Sequence, residues 1–396
     1  MSKAWPMVPL GEVISPVERP ETPIPGVEYR QIGVRLWGEG AYERETIDGG
    51  QTKYKTFSRV EADDIIVNKI WARNGSVAVV SEQLEGCYAS GEFPIFTPIK
   101  KKLDSKWFHW QTKTRNFWEK CDEKSRGTSG KNRIRPERFL EIEIPLPPLS
   151  EQKRIVARLE ELAAKIEEAR GLRRQAVEEA EALFESAVGE AFAELNFERK
   201  HLSKLVSKIG SGSTPKGGRA TYLSTGIPFI RSMNVRMRKF QWENIAFIDI
   251  KTHDSMSNTK VRQNDVLLNI TGASIGRVAC APLDLMEANV NQHVAIIRPD
   301  ESLSSRYLMY WLSQPLIQSF INDQQKGATR QGFTKAQIEA FEIPVPPLPE
   351  QRRIVAYLDG LQAKVDALKH LQAETTAELN AMLPSVLDKA FKGELY

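Results

Sequence analysis

Cysteine, histidine and long apolar runs are all scarce in this sequence. Three cysteines, Cys87, Cys121 and Cys280, lie far apart in 396 residues, too few and too odd in number for a disulfide framework and without CxxC spacing. Five histidines, His109, His201, His253, His293 and His370, form no HxxxH or HxE pattern of the kind zinc chemistry needs. These eight residues read as ordinary packing or surface positions, and no metal site is expected. No stretch approaches the roughly 20 apolar residues that cross a bilayer. The opening Met1-Ser-Lys-Ala-Trp-Pro-Met7 lacks the apolar core of a signal peptide. The expectation is a cytoplasmic chain with no membrane partner.

An excess of one charge is also missing, since 55 Lys and Arg against 51 Asp and Glu leave only +4. Mild basicity is weak support for a nucleic-acid partner, so the placement of charge matters more than its total. Catalytic signatures are equally hard to find. Gly210-Ser-Gly-Ser-Thr-Pro-Lys-Gly-Gly218 superficially suggests a phosphate loop but lacks the spacing and the Gly-Lys-Ser/Thr ending. Asp122-Glu-Lys124 is a nuclease-like triplet that arises by chance where 27% of residues are charged.

What the sequence does have is an internal duplication. Ile144-Pro-Leu-Pro-Pro-Leu-Ser-Glu-Gln-Lys-Arg-Ile-Val-Ala-Arg-Leu159 matches Ile343-Pro-Val-Pro-Pro-Leu-Pro-Glu-Gln-Arg-Arg-Ile-Val-Ala-Tyr-Leu358 at a constant offset of 199, which continues to Ala191-Phe192 and Ala390-Phe391. Each copy is proline-rich and extended at first, and then opens a helix expected at Glu151 or Glu350. Ser150 is the expected N-cap, and Pro349 in the second copy lacks its hydroxyl. Apolar residues follow in steps of four and three: Ile155, Leu159, Leu162, Ile166, Ala169, then Ala176, Ala180, Leu183 and Ala187. The second copy gives Ile354, Leu358, Leu361, Val365, Leu368, then Leu379, Met382 and Val386. Such spacing predicts a coiled-coil seam. Arg173 and Gln372 with Thr375 interrupt it at matching places, where an antiparallel pairing would set a polar layer or simply tolerate a defect. Helices of about 40 residues would reach about 60 Å.

Two globular segments alternate with these helices. The expected division is 1–146, a helix over 147–195, a second segment over 196–345, and a last helix over 346–396. Asp64-Ile-Ile-Val-Asn-Lys-Ile-Trp-Ala-Arg-Asn-Gly75 aligns with Asp265-Val-Leu-Leu-Asn-Ile-Thr-Gly-Ala-Ser-Ile-Gly276. Runs of β-branched and aromatic residues broken by Gly, Pro and Asn predict short strands, with a helix near Trp107–Trp118 and near Ser305–Phe320. Each segment therefore reads as a mixed α/β domain.

Basic, glycine-containing loops precede both proline-rich stretches, Lys124-Ser-Arg-Gly-Thr-Ser-Gly-Lys-Asn-Arg-Ile-Arg-Pro-Glu-Arg138 and Gln324-Gln-Lys-Gly-Ala-Thr-Arg-Gln-Gly-Phe-Thr-Lys335. Arg, Lys, Asn and Gln are the side chains that bind phosphates and read base edges. One such loop would be a solvated surface run. Two at equivalent positions suggest DNA contacts at Arg126, Ser129, Lys131, Asn132, Arg133 and Arg135, and at Lys326, Arg330, Gln331 and Lys335. Further candidates are Arg30, Gln31, Arg35, Lys69 and Arg73 in the first segment, and Arg219, Arg231, Asn234, Arg236 and Arg238 in the second.

Over nearly its whole length the chain resembles the specificity subunit of type I restriction-modification systems. The resemblance is carried by Pro147-Pro-Leu-Ser-Glu-Gln152 and Pro346-Pro-Leu-Pro-Glu-Gln351, by Gly212-Ser-Thr-Pro-Lys-Gly-Gly218 followed by Gly226-Ile-Pro-Phe-Ile-Arg231, and by Val290-Asn-Gln-His-Val294. Tyr29-Arg-Gln-Ile-Gly-Val-Arg35 and Gly127-Thr-Ser-Gly-Lys-Asn-Arg-Ile-Arg135 resemble another subclass of the same family. It implies two target recognition domains that each bind half of a split double-stranded DNA site, and an antiparallel coiled coil that fixes the gap. It also implies two modification subunits carrying adenine methyltransferase activity, and restriction subunits. S-adenosylmethionine, ATP and Mg would sit on those partners, with no cofactor in this chain. The chain itself is expected to be non-catalytic, since it has neither a cofactor-binding glycine motif nor an Asn/Asp-Pro-Pro-aromatic turn. The alternative from another class is a duplicated helical scaffold that binds protein partners without reading DNA.

Overall fold

The computed structural model describes residues 5–125, 132–193, 195–323 and 332–395. The chain folds as two compact units, Met1–Leu172 completed by Ala373–Tyr396, and Arg173–Gln372.

In the first unit, Ile14–Val17, Ile95–Pro98, Ile65–Val67 and Val77–Val79 form a four-stranded antiparallel sheet in that order. Ile65, Ile66 and Val67 are all buried, which is why this strand is a continuous apolar run and does not alternate. Asp64, one residue before it, is buried too, accepting hydrogen bonds from the Glu61 backbone and the Thr97 hydroxyl and pairing with Arg19 at 2.6 Å. After the strand the chain turns at Gly75 (φ 77°), where a Cβ would stand 2.8 Å from the Trp118 ring. Only glycine fits that turn. A second sheet holds five strands in the order Pro20–Glu21, Phe57–Arg59, Tyr88–Ala89, Glu28–Val34 and Ala41–Asp48.

The second unit repeats the first frame. Val206–Ser211, Val294–Pro299, Val266–Asn269 and Val278–Cys280 form a sheet of the same order and hand of pairing. Asp265 occupies the place of Asp64, accepting from the Arg262 backbone and gripped by Arg298 through two bonds of 2.7 Å. The other sheet differs: Ala246–Ile248, Ile227–Ile230, Ala288–Val290 and Lys260–Val261, with a separate hairpin of Val235–Arg236 and Lys239–Phe240. Each unit thus joins a shared frame to a sheet of its own.

Helices Ser105–Gln111 and Arg115–Glu123 in the first unit correspond to Ser305–Ser313 and Pro315–Asp323 in the second. Asp104 caps the first by accepting from Lys106 N and Trp107 N, and Ser304 does the same for Tyr307 N. Trp107 Nε1 donates to Pro145 O, and the Tyr307 hydroxyl donates to Pro344 O, so each short helix is tied to the proline stretch.

The long helices span Leu149–Ala193 and Leu348–Phe391, starting two residues before Glu151 and Glu350. Pro148 O accepts from Glu151 N and Gln152 N, and Pro347 O accepts from Glu350 N and Gln351 N. The cap position therefore falls on a proline in both copies, and the exchange of Ser150 for Pro349 removes no capping hydroxyl. Gln152 is buried in the first turn. Its amide nitrogen donates to Lys102 O and Pro147 O, while its oxygen accepts from Asp104 N. Gln351 repeats all three bonds with Ser302 O, Pro346 O and Ser304 N.

Within each unit the two long helices run antiparallel. In the first, Ile155 and Leu159 pack in one cluster with Leu387 and Ala390, and Arg170 donates to Asn380 Oδ1 at 2.9 Å. In the second, Phe184, Val188 and Phe192 share a core with Ile354, Leu358 and Val365, and Lys369 pairs with Glu181. Ile155, Leu159, Ile166, Ile354, Leu358 and Val365 are buried, whereas Leu162, Leu361, Arg173 and Gln372 are half-buried. Past Ala180 and Leu379 the seam changes phase. Leu183 is 72% exposed and Met382 49%, and the buried positions are Phe184, Val188, Leu387 and Ala390. In the first long helix Phe184, Val188 and Phe192 follow in steps of four and share a core with Tyr307 and Leu308, whereas Leu387 and Ala390 in the second are three apart.

Candidate nucleic-acid interface

In the first unit the structure gathers some expected site residues and separates others. Ile134 N donates to Lys69 O at 2.9 Å, Lys69 Nζ donates to Gly91 O at 2.6 Å, and Arg133 pairs with Glu92 at 3.3 Å. The Lys69 loop and the Asn132–Arg135 segment thereby meet, with Arg133 and Arg135 exposed and Asn132 half-buried. Arg73 lines a neighbouring cleft with Trp37, Trp71 and Trp118. Trp37 (φ 58°) is 55% exposed and Trp71 45%, held there by bonds from Trp37 N to Asn74 O and from Trp71 N to Asn68 Oδ1. Arg115, Glu119, Asp122 and Glu123 line that cleft as well.

Arg30 and Gln31 stand on the strand Glu28–Val34. Arg30 donates to Glu43 at 2.7 and 3.1 Å and to Gln83 O, a bond that holds the Glu43 carboxyl below its ordinary value. Gln31, its neighbour, faces inward at 7% exposure, and its amide nitrogen is buried without a hydrogen-bond partner. Arg35 lies over the Tyr42 ring at 4.7 Å. Arg126, Ser129 and Lys131, like Lys326, Arg330 and Gln331, lie outside the described residues.

In the second unit, Arg219 and Arg231 line one cleft of about 480 Å³. Asn234 is buried, its carboxamide accepting from Arg231 N and donating to Gln241 O at 3.0 Å and Glu243 O at 3.3 Å. It holds the hairpin that follows it. Arg236 is exposed and donates to Gln241 Oε1 at 2.7 Å, and Lys335 stands at the start of a short helix 3.5 Å from Glu339. Arg238 turns the other way, onto the long helix, where it pairs with Glu185 and lies 4.8 Å over Phe184.

Sequence reasoning did not single out Gln152, Gln351, Asp64 or Asp265 as organising residues. Their signal was available, since all four stand at matching places in the duplicated segments. It also passed over Trp37 and Trp71, and quoted Gln292 and His293 only within Val290–Val294, although both line the cleft of Arg219 and Arg231. Among the described residues no group of His, Cys, Asp and Glu is placed to hold a metal, and no helix is long and apolar enough to cross a membrane.

Comparison with known proteins accounts for this doubled architecture. The family described as "Type I restriction modification DNA specificity domain" matches residues 2–178 and again 196–377. The EcoKI specificity subunit of Escherichia coli K12 is 23% identical over 98% of this chain and 90% of its own length. The EcoBI specificity subunit of E. coli is 26% identical over 64% of this chain, a match that spans 58% of that protein. Among solved structures, the HsdS subunit of Thermoanaerobacter tengcongensis is similar over 100% of this chain and 98% of its own, with TM-score 0.64 and 26% identity. A chain from a study of assembly and conformational transition in a type I R-M system aligns over 100% of both chains, with TM-score 0.74 and 26% identity. The chain belongs to the type I restriction-modification DNA specificity family, as a specificity subunit.

Proposed function

We propose that this specificity subunit reads a two-part DNA site, one half with each recognition segment, and that the antiparallel long helices set the spacing between halves. It also scaffolds two modification subunits, and restriction subunits where these join, and performs no chemistry itself. S-adenosylmethionine, ATP and Mg belong to those partners. The observation that carries this reading is the shared frame built twice, each time bearing a different second sheet. A frame with common anchors and divergent attachments is what two readers of different sequences require, whereas a scaffold for identical partners has no need of the divergence. The Lys69, Arg133 and Arg135 cluster in one segment and the Arg219 and Arg231 cleft in the other supply the cationic side chains that duplex DNA requires.

The test is to methylate DNA with this chain and the modification subunits of its own system, and then map the modified adenines. A single sequence made of two fixed blocks at constant separation is expected. Modification with no sequence in common, or at one uninterrupted block, would refute the reading.

A further inference from the structure

The cleft in the second unit differs in charge from the aromatic one in the first. Arg219, Tyr222, Arg231, Gln292 and His293 line it, and no Asp or Glu is among the described residues that do so. The tryptophan cleft of the first unit includes three carboxylates. Two arginines lining one concavity, with no carboxylate among its described lining residues, favour an anion by charge.

The geometry sharpens this. Arg231 is fixed on one side: it lies 5.7 Å over the Tyr222 ring and donates through Nη2 to Asn244 O. Its Nε is buried without a hydrogen-bond partner. A ligand in the cleft would therefore be met by the terminal nitrogens of this guanidinium and not by Nε. Arg219 is exposed and follows Gly217 and Gly218, whose φ of 96° and 60° no other residue adopts as readily. Space lies open where a Cβ at Gly218 would project, so a ligand can come close to the backbone.

The opposite wall is polar and braced. The Thr214 hydroxyl donates to Gln292 Oε1, Gln292 Nε2 meets His293 Nε2 at 3.1 Å, and His293 Nδ1 meets the Thr271 hydroxyl. Arg219 and Arg231 are the two arginines of this lining.

A concave cleft with a recessed arginine cannot enter a DNA groove, where base edges are reached by elements that protrude. Backbone phosphates project outward and can enter a cleft. The geometry points to a phosphate seat: Arg219 and Arg231 grip one backbone phosphate of the duplex and fix the register of the second segment, without reading a base. This rests on the DNA-reading role proposed above.

The test uses the full chain with its modification subunits and a duplex carrying the wild-type site, with affinity measured across a salt series. For the wild type, log K falls linearly with log salt. Arg219→Ala and Arg231→Ala should each flatten that slope, by up to about one and by about two in the double variant, and Arg219→Lys should keep it. The adenines methylated should remain those of the wild type. Unchanged slopes in both alanine variants, with the variants folded by circular dichroism, overturn the seat. A changed methylated sequence overturns it too, because the cleft would then read a base. If the wild type itself shows no salt-dependent binding, the DNA-reading role falls and takes this assignment with it.

Discussion

Arg238 and Glu185 join the hairpin of the second recognition segment to the first long helix through two guanidinium nitrogens, one at 3.2 Å. The arginine is 11% exposed and the glutamate 40%, and the same guanidinium covers the Phe184 ring. Arg238→Met keeps the stem and removes the charge. It should lower stability by about 1–3 kcal/mol, since a half-buried pair and a cation–π contact are lost together. Chemical denaturation of the full chain measures this, and a loss under about 0.5 kcal/mol would mean that the anchor is ornamental.

The two clamps at the helix starts should behave alike. Gln152→Ala leaves Lys102 O, Pro147 O and Asp104 N without their partner, and Gln351→Ala does the same to Ser302 O, Pro346 O and Ser304 N. About 2–4 kcal/mol is expected for each, from stranded backbone groups in a closed site. Differential scanning calorimetry that finds either variant as stable as the wild type would contradict this account of the Glu-Gln pair.

The phase of the seam is testable one residue at a time. Phe184→Ala should cost about 3–5 kcal/mol, whereas Leu183→Lys, one position earlier, should be nearly silent. Equal losses at the two positions would restore the simple heptad.

His109 gives a pH dependence. Burial, assisted by Lys113, pushes its pKa from 6.5 down to about 4, with Glu160 opposing and Lys106 adding to the effect. The folded chain then binds fewer protons here than the unfolded chain does between those values. Stability should therefore fall as pH drops from about 6.5 to about 4, by up to about 3 kcal/mol, with no contribution above that window. In His109→Gln the slope of stability against pH should flatten across the same range. An unaltered slope would assign the acid sensitivity to other groups.

The doubled plan was legible because a repeat needs no structural interpretation: Pro147–Gln152 and Pro346–Gln351 are similar letter by letter. The seam was legible from Ile155 to Ile166 and from Ile354 to Val365, where the buried positions keep the spacing of the sequence. Beyond these stretches, Phe184 and Val188 answer to the core around Tyr307 and Leu308, a demand that periodicity along one helix does not contain. For the proposed DNA-contacting residues the sequence offers residue type but not direction. Asn234 and Arg238 have the chemistry of base readers, yet one is buried beneath its own hairpin and the other is turned onto a helix. Arg219 and Arg231 share a cleft because Tyr222 and Asn244 hold the latter in place, a relation between side chains that spacing cannot express.

The first unit is completed by the end of the chain. Phe391 packs edge-on against Trp107 with ring centroids 4.6 Å apart, and Trp5 Nε1 donates to Ala390 O. During synthesis Arg173–Gln372 is an unbroken stretch that can close as soon as it clears the ribosome, while the body begun earlier waits for Ala373–Tyr396 to emerge. Cutting the chain after Gln372 would therefore damage the domain translated first and spare the one translated second.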